Sequence, residues 1–326
     1  MAGRDLQFTM NVDAAALLQV NPKEFYTKAL LANRSSANFR QVLNIKEKTK
    51  IGRLSFGTLL FPADCTYQGG DSTLGAKEMD VCKVQLGTDV CMYELETSFL
   101  ADWMKSGSNG EWMPGDFATF FYDEIGRNVS DMLEILTWQG DTSITFDSED
   151  PTTYLGICDG LWVKLCDADI PTNQALQPSP ESITAGAVTA ATVINEMTRM
   201  YNEIPTVIKQ DKASVLWYVS QNIADAYQLA VAVQSAEVYT RQDPEMKFLG
   251  YTLTVGTGMA DNTMCISRAD NYVYLADMVS DPEDLQVIDL SKTIGDKTIR
   301  VRSDFKIGFD FLNQEEWVVF NLDCTS

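Results

Sequence analysis

The sequence predicts an α+β protein. Residues 116–137 carry apolar side chains at helical spacing along one stripe, and shorter helical patterns follow at 188–204 and 221–234. From residue 248 onward the pattern is rich in β-strands instead, and the chain closes with two alternating polar and apolar segments within 298–322. Helices and strands thus occupy different stretches of the chain, which is typical of the α+β class.

The length and composition are those of a globular chain. With 326 residues, of which 45% are hydrophobic, it can bury one large core or two modest ones. No run of about 18 apolar residues occurs, so the sequence predicts no membrane-spanning helix. The first residues, MAGRDLQFTMNVD, lack the basic, apolar and small-residue zones of a signal peptide. We therefore expect the chain to be made and folded in a cytoplasm.

The chain contains no histidine. This absence excludes Ser-His-Asp and Cys-His catalysis, His-ligated zinc and the 2-His-1-carboxylate iron site. A carboxylate-dependent glycosidase remains an alternative, with the pair drawn from Glu94, Glu96, Asp123 and Glu124. Asp123 and Glu124 also fit the polar side of an amphipathic helix, so we do not expect an enzyme.

The seven cysteines are odd in number and dispersed, with neither a CxxC pair nor zinc-knuckle spacing. A cytoplasm keeps thiols reduced, and free cysteine is commonly buried. We therefore predict free, mostly buried thiols at these positions: Cys65, Cys82, Cys91, Cys158, Cys166, Cys265 and Cys324.

Charge is distributed unevenly along the chain. Residues 1–53 hold nine basic and four acidic side chains, a net charge of +5, whereas the whole chain carries −21 and the remainder therefore −26. Another copy of the acidic body could neutralise the basic segment, for example at Asp141–Asp150 or Asp277–Asp284. The alternative is that these acidic residues are simply solvated. Nucleic-acid binding is disfavoured, because the acidic body would repel phosphates.

Before the long helix, the sequence predicts extensions rather than core. Residues 1–50 offer two short amphipathic helices split by Asn21-Pro22, and neither is long enough to be stable alone. Residues 51–61 and 81–97 are strand-like, and the Gly-, Asp- and Ser-rich stretch between them predicts a long hairpin with a flexible polar tip. A two-stranded ribbon is barely stable alone, so we expect it to lie on a neighbouring molecule.

The long helix is predicted to open at Pro114-Gly115-Asp116, with Asp116 as the N-cap, and to end before Gly140. Its predicted buried stripe comprises Phe117, Phe120, Phe121, Ile125, Val129, Met132, Leu133 and Leu136. The helix at 188–204 is stopped by Pro205, and a buried strand at 213–220 leads into the helix at 221–234.

The order of these elements resembles that of the tailed-bacteriophage major capsid protein of the Hong Kong 97-like fold, over nearly the whole chain. Four stretches carry the resemblance. The first is the long helix running into Trp138-Gln139-Gly140-Asp141 and then Gly156-Ile157-Cys158-Asp159-Gly160. The second is the helix ending at Pro205, followed by the strand at Trp217-Tyr218-Val219-Ser220 and the helix holding Tyr227, the third is Leu249-Gly250-Tyr251 with Met259, and the fourth is the closing strand at 300–308. The sequence departs from the family pattern where Tyr251 stands in place of a frequent proline.

The resemblance implies an N-terminal arm (1–50), an extended loop formed by the long β-hairpin (51–97), a peripheral domain with a long spine helix (98–219 and 293–326) and an axial domain (220–292). It implies self-assembly into pentamers and hexamers that form the icosahedral head shell of the virion around phage double-stranded DNA. No cofactor, metal, membrane or sequence-specific DNA contact is implied. The implied partners are portal, scaffolding and decoration proteins, with assembly in the bacterial host cytoplasm. The chain is too short for the large N-terminal scaffolding domain of some relatives, so we expect a separately encoded scaffold.

The candidate inter-subunit contacts lie in the arm and in the loop tip. They are Arg34, Arg40, Lys46, Lys48, Gly69 and Gly70. An encapsulin-type nanocompartment shell, which shares the fold and encloses a protein cargo, is an alternative function. The long basic arm favours the phage shell, because an encapsulin usually starts with a helix that binds cargo.

Overall fold

The computed structural model describes residues 35–45, 47–56, 72–91, 114–147, 149–168, 170–234, 246–277, 286–290, 298–322 and 324. The strands are β1 (Arg40–Leu43), β2 (Lys48–Phe56), β3 (Ser72–Asp80), β4 (Cys82–Cys91), β5 (Ala175–Leu176), β6 (Val215–Val219), β7 (Lys247–Phe248), β8 (Tyr251–Val255), β9 (Met264–Arg268), β10 (Tyr272–Ala276), β11 (Gln286–Asp289), β12 (Thr298–Phe311) and β13 (Val318–Phe320). The helices are α1 (Pro114–Gln139), α2 (Leu161–Cys166), α3 (Pro180–Ala185), α4 (Val193–Glu203), α5 (Thr206–Lys209) and α6 (Gln221–Gln234).

The chain divides into two compact units. Of the described residues, the first unit holds 84–91, 114–130, 286–290 and 298–305, and the second unit holds the others. In the first unit, β11 pairs antiparallel with residues 299–302 of β12. Arg300 of β12 donates two hydrogen bonds to the carboxylate of Asp89 in β4, at 2.7 and 2.6 Å.

The main core of the second unit is built on a six-stranded sheet with the order β5-β13-β9-β6-β8-β7. Two pairs, β5 with β13 and β6 with β8, are parallel, and the others are antiparallel. Met197 and Met200 of α4 and Ile223 of α6 pack in one buried cluster with Trp217 and Phe320 of the sheet. Helical spacing on α4 and α6 thus places their apolar faces on a sheet of buried residues.

A second set of strands in this unit includes the segment before the ribbon. Strand β1 pairs parallel with β10, and β10 pairs antiparallel with residues 307–311 of β12. A small buried cluster of Ile45, Met79, Val273 and Leu275 joins these strands to β3.

Several predicted elements have the expected bounds within a few residues. Helix α6 covers the predicted range, and the predicted strand at 213–220 is β6. Helix α4 begins at Val193 rather than at 188, because residues 186–192 form turns that start with Gly186 at a φ of 71°.

The long helix differs from its prediction at two positions. It begins at Pro114, two residues before the predicted cap at Asp116, since proline is well suited to the first turn of a helix. Val129, Leu133 and Leu136 are buried as predicted, but Met132 is 44% exposed. The predicted buried stripe was therefore wrong at Met132, at this end of the helix.

The predicted partner strand of the hairpin was wrong. Strand β2 pairs antiparallel with β3 over nine residue pairs, from Lys48 opposite Asp80 to Phe56 opposite Ser72. The predicted partner, 81–97, holds β4, which pairs with β12 instead. Strand β3, STLGAKEMD, lies in the stretch that was predicted to be the loop tip. The prediction missed this strand because its sequence lacks the alternation of apolar and polar residues. The exposed outer half of a ribbon does not need that alternation, since neither of its faces there forms a core.

Candidate functional site

The outer half of the β2–β3 ribbon is exposed in the described part of β3. Of the residues of β3 whose side chains are described, Ser72, Leu74, Gly75 and Ala76 are all exposed, and Leu74 is 80% exposed. A two-stranded ribbon has little stability in water without a surface to pack on. An exposed leucine at its outer end is therefore a candidate contact with another molecule.

The inner half of the ribbon is anchored in its own chain. Lys77 Nζ lies 2.5 Å from a carboxylate oxygen of Asp310, donates to the carbonyl oxygen of Phe311 at 2.6 Å, and lies 3.3 Å from the centre of the Phe311 ring. Burial lowers the pKa of Lys77, and Asp310 opposes this shift without reversing it. Met79 is buried, so the ribbon is fixed at its base and exposed towards its tip.

Charged pairs link the two strands along the ribbon surface. Lys48 Nζ lies 3.0 Å from Glu78 and 3.2 Å from Asp80, and Lys50 Nζ lies 3.2 Å from Glu78. The hydrogen bonds that Lys48 donates to the carboxylates of Glu78 and Asp80 raise its pKa. Lys48, predicted as an inter-subunit contact, thus has partners on its own ribbon, and these exposed pairs add little stability.

The other predicted contacts fall in different places. Arg40 is exposed at the start of β1. Arg34, Lys46, Gly69 and Gly70 lie outside the described residues. Their role between subunits stays a prediction.

The segment before β1 is docked in the second unit. The ring of Phe39 is stacked on Tyr272 at 5.0 Å between centroids and meets Trp138 and Tyr218 edge-on at 6.0 and 5.8 Å. Aromatic pairs of this geometry contribute about 0.5–1.5 kcal/mol each beyond the area they bury. The predicted arm is therefore attached, at residues 35–43, to the core beside the end of α1.

The two glycine motifs that follow the long helix meet in one tight junction. The backbone N–H of Gly160 donates to the carbonyl of Gly140 at 2.8 Å, and the N–H of Asp141 donates to Leu155 at 2.9 Å. A Cβ on Gly140 would lie 2.1 Å from the carbonyl oxygen of Cys158. Glycine is required at this crossing because two backbone segments approach more closely than a side chain permits.

The acidic residues predicted to receive the basic arm have local roles. Asp141, Asp147 and Asp150 accept hydrogen bonds from the backbone N–H groups of Ser143, Glu149 and Thr152, at 2.8, 3.0 and 2.9 Å. The bonds from Thr152 lower the pKa of Asp150. Asp277 lies 3.3 Å from Lys306, and residues 278–284 lie outside the described residues. These carboxylates shape their own loops, and their exposed edges still face solvent.

Of the four carboxylates of the glycosidase alternative, the structure describes two. Asp123 and Glu124 lie on α1, where Glu124 forms an ion pair with Arg127 at 3.2 Å. Glu94 and Glu96 lie outside the described residues. In the described part of the chain, no group of three or more Cys, Asp or Glu side chains is arranged to hold a metal ion. Within the same residues, no helix has the length and apolar character of a membrane span.

The prediction of free thiols was wrong for four cysteines. Cys82 is bonded to Cys158, and Cys166 to Cys324, across 76 and 158 residues of sequence. Among the described cysteines, Cys91 and Cys265 are free, and Cys265 is buried as predicted. Neither spacing nor composition could have shown the pairs, because tertiary folding brings these positions together.

Comparison with known proteins gives similarity of structure without similarity of sequence. No protein-family model matches the sequence, and neither does any curated protein. A chain of the procapsid of satellite phage P4, solved with its size determination protein, aligns with a TM-score of 0.58 at 12% identity, over 94% of this chain and 90% of that one. The capsid of cyanophage P-SCSP1u aligns with a TM-score of 0.52 at 8% identity, over 87% and 86%.

A third capsid, that of Ralstonia phage GP4, aligns with a TM-score of 0.51 at 11% identity, over 90% of each chain. Identities this low establish the fold alone. The coverage is nearly complete in both directions, so the similarity extends over the whole chain. The prediction of an α+β phage capsid fold is thereby confirmed, and the chain has the fold of the proteins in these bacteriophage capsids.

Proposed function

We propose that this chain is the major capsid protein of a tailed bacteriophage. Copies of it assemble into pentamers and hexamers, which form the icosahedral head shell around the phage double-stranded DNA. The observation that carries this proposal is the match, over 86–94% of both chains, to the phage capsid proteins with TM-scores above 0.5.

The structure of the ribbon supports assembly in which an extended segment of one subunit packs on its neighbour. Its base is held by Lys77 and Met79, and its outer half carries the exposed Leu74. A neighbouring subunit that covers this half would bury apolar surface without enlarging the core of either chain. Contacts of this kind repeat from copy to copy and close into rings.

Charge supports the same arrangement. The basic segment 1–53 carries +5 and the remainder −26, so contacts between the segment of one copy and the body of the next are attractive. The acidic body also repels packaged DNA, which keeps the DNA from adhering to the inner wall. Within the virion, a portal, a separately encoded scaffold and decoration proteins are the proposed partners, and no enzymatic step is involved.

The test is electron microscopy of the purified protein, alone and co-expressed with candidate scaffolds, with size-exclusion chromatography of the same samples. Shells, tubes or capsomer rings are expected. Nuclease-protected DNA inside native particles separates a phage head from an encapsulin-type compartment, which would hold a protein cargo. A monomer that persists at every concentration, salt and scaffold tested would overturn the proposal.

A further inference from the structure

Two disulfides lie at places where the chain is already held together by other contacts. The Cα atoms of Cys82 and Cys158 are 5.7 Å apart, and those of Cys166 and Cys324 are 5.3 Å apart, both within the range of ordinary disulfides. All four residues belong to the second unit. The two bonds join different parts of that unit.

The bond between Cys82 and Cys158 lies at the base of the ribbon. Cys82 is the first residue of β4, two positions after the last residue of β3, and Cys158 lies in the glycine junction that follows α1. Without the bond, the ribbon base is still held by the buried Met79 and by the hydrogen bond from the N–H of Val81 to the carbonyl of Glu47. The bond thus adds a covalent link to a contact that the fold makes anyway.

The bond between Cys166 and Cys324 ties the last strand region to α2. The N–H of Val319 donates to the carbonyl of Gln174, and the N–H of Asn321 donates to that of Leu176, both at 2.8 Å. These backbone bonds hold the end of the chain beside β5, which follows α2 in the sequence, and they do not depend on the covalent link. Folding therefore brings both thiol pairs together by non-covalent contacts.

The two pairs differ in their access to solvent. Cys324 is exposed and Cys166 half-buried, whereas Cys158 is 3% exposed and Cys82 half-buried. A small oxidant therefore reaches the Cys166–Cys324 pair more easily than the Cys82–Cys158 pair, because thiol–disulfide exchange requires access to the attacking thiolate and Cys324 is the exposed thiol of the four. Cys265 is a contrast: burial raises its pKa, and it has no cysteine partner among the described residues.

We propose that both disulfides are redox-controlled staples: the chain folds and assembles with four reduced thiols, and the bonds close on exposure to low-molecular-weight disulfides, Cys166–Cys324 before Cys82–Cys158. The timing rests on the proposed function, since a capsid leaves the reducing cytoplasm, where disulfides are rare, for surroundings in which they persist. The outcome is a shell whose subunits stay adjustable during assembly and become covalently reinforced after release.

The chemistry balances as thiol–disulfide exchange. The thiolate of Cys324 attacks one sulfur of the small disulfide, forms a mixed disulfide and releases one small thiol. The thiolate of Cys166 then attacks the Cys324 sulfur, closing the protein disulfide and releasing the second small thiol. The two protein thiols lose two electrons and two protons, and the small disulfide gains them. The second pair reacts in the same way.

The test counts thiols. The full chain is produced in a reducing cytoplasm, lysed into N-ethylmaleimide under denaturing conditions, and weighed by intact mass spectrometry. The seven cysteines of the sequence predict seven adducts. Native protein incubated with oxidised glutathione before capping should fall to five adducts and then to three. Peptide mapping should find Cys166–Cys324 in the five-adduct species, and Cys91→Ser should lower every count by one without changing the order.

Other results overturn the proposal. Three adducts straight from the cytoplasm would mean that the bonds close during folding. Seven adducts after prolonged oxidation, or different pairs, would mean that the thiols do not meet as described. A five-adduct species bridged at Cys82–Cys158 would refute the order.

A stability measurement gives a second readout of the same proposal, and its main comparison uses the wild-type protein alone. Wild-type protein after oxidation should unfold several degrees higher than the same protein kept in reductant. Cys166→Ser with Cys324→Ser should remove part of this difference, and equal midpoints for oxidised and reduced wild type would refute reinforcement. The shell proposal is judged separately, by microscopy. If the disulfides close in order but the chain forms no shells, the redox proposal is supported and the proposed shell function is refuted.

Discussion

The carboxylate of Glu134, near the end of α1, accepts two hydrogen bonds from Ser35, one from the backbone N–H at 3.1 Å and one from the hydroxyl at 2.5 Å. The same hydroxyl accepts a bond from the indole N–H of Trp138 at 3.1 Å, and the Ser35 carbonyl accepts one from the phenol of Tyr218 at 3.2 Å. Glu134 and Ser35 are both buried. A buried carboxylate needs such donors, so Ser35 fixes the segment before β1 to the end of the long helix.

The substitution Ser35→Ala removes a donor from Glu134 and an acceptor from Trp138. Because both groups are buried, we expect the free energy of unfolding to fall by about 2 kcal/mol. Urea denaturation at neutral pH measures this loss. The control is Ser143→Ala at an exposed position, which should stay within about 0.5 kcal/mol of the wild type. Equal effects of the two changes would show that Ser35 is not an anchor.

Glu196 on α4 should make stability depend on pH. Its side chain is 0% exposed and accepts hydrogen bonds from the backbone of Ser179, the hydroxyl of Ser182 and the guanidinium of Arg199. Burial raises the pKa of Glu196, but these bonds outweigh burial and hold it below its ordinary value of 4.5. Ionised Glu196 therefore stabilises the fold above that pH, and its contribution is lost as the pH falls through the lower folded-state pKa.

The substitution Glu196→Gln should cost about 2 kcal/mol at pH 7, because Arg199 and the two serines lose a charged acceptor. The difference from wild type should shrink as the pH falls below about 4.5, because the carboxyl of Glu196 then takes up a proton in the unfolded wild-type chain while the folded state still holds it ionised. Denaturation curves between pH 3 and 7 measure both values. Asp167→Asn, at an exposed position, is the control, and a pH-independent gap for Glu196→Gln would contradict the linkage.

The crossing at Gly140 should not tolerate a side chain. In Gly140→Ala the new Cβ would meet the carbonyl oxygens of Cys158 at 2.1 Å and Leu136 at 2.8 Å, and both are backbone atoms. We expect a loss of about 3 kcal/mol or insoluble protein. A Cβ at Gly87 in β4 meets nothing within 4 Å, so Gly87→Ala should be neutral or slightly stabilising. Similar melting temperatures for the two variants would mean that the junction is looser than described.

Leu74 should affect assembly rather than folding. The substitution Leu74→Asp places a charge on the exposed outer half of the ribbon, where it disturbs no core of its own chain. Circular dichroism melting should therefore match the wild type, while shells seen by electron microscopy become rare, because the charge would be buried against a neighbour. Leu74→Met keeps the apolar contact and should assemble. Normal shell yields from Leu74→Asp would show that the outer half of the ribbon is not part of a subunit interface.

Reversal of the arm charge tests the electrostatic part of the proposal. The triple change Arg34→Glu, Arg40→Glu and Lys46→Glu leaves out Lys48, whose partners Glu78 and Asp80 lie on its own ribbon. Monomer stability should change little and shell yield should fall, because the arm would repel the acidic body of a neighbour. The charge-conserving triple Arg34→Lys, Arg40→Lys and Lys46→Arg is the control. If the charge-reversal variant assembles as well as this control, the acidic residues are solvated and do not bind the arm of a neighbour.

The sequence by itself determined the elements whose signals are local. Helix α6, the core face of α1 at Val129, Leu133 and Leu136, and strand β6 follow from apolar spacing, because each residue's position in a helix or strand depends on its near neighbours. The motifs around Gly140 and Gly160 could also be singled out in the sequence, although their contact could not. The α+β class followed from the order of such elements, and the capsid fold followed from the resemblance of that order to a known family.

Only the tertiary structure decided which distant segments meet. It paired β2 with β3 rather than with 81–97, joined Cys166 to Cys324 across 158 residues, and placed Ser35 on Glu134 across 99 residues. Such contacts leave no periodic trace in either segment, since a polar strand, a dispersed thiol or a single serine carries no sign of its partner. Their positions are set by the packing of the whole unit, in which the free energy of burial outweighs the local preferences of each segment.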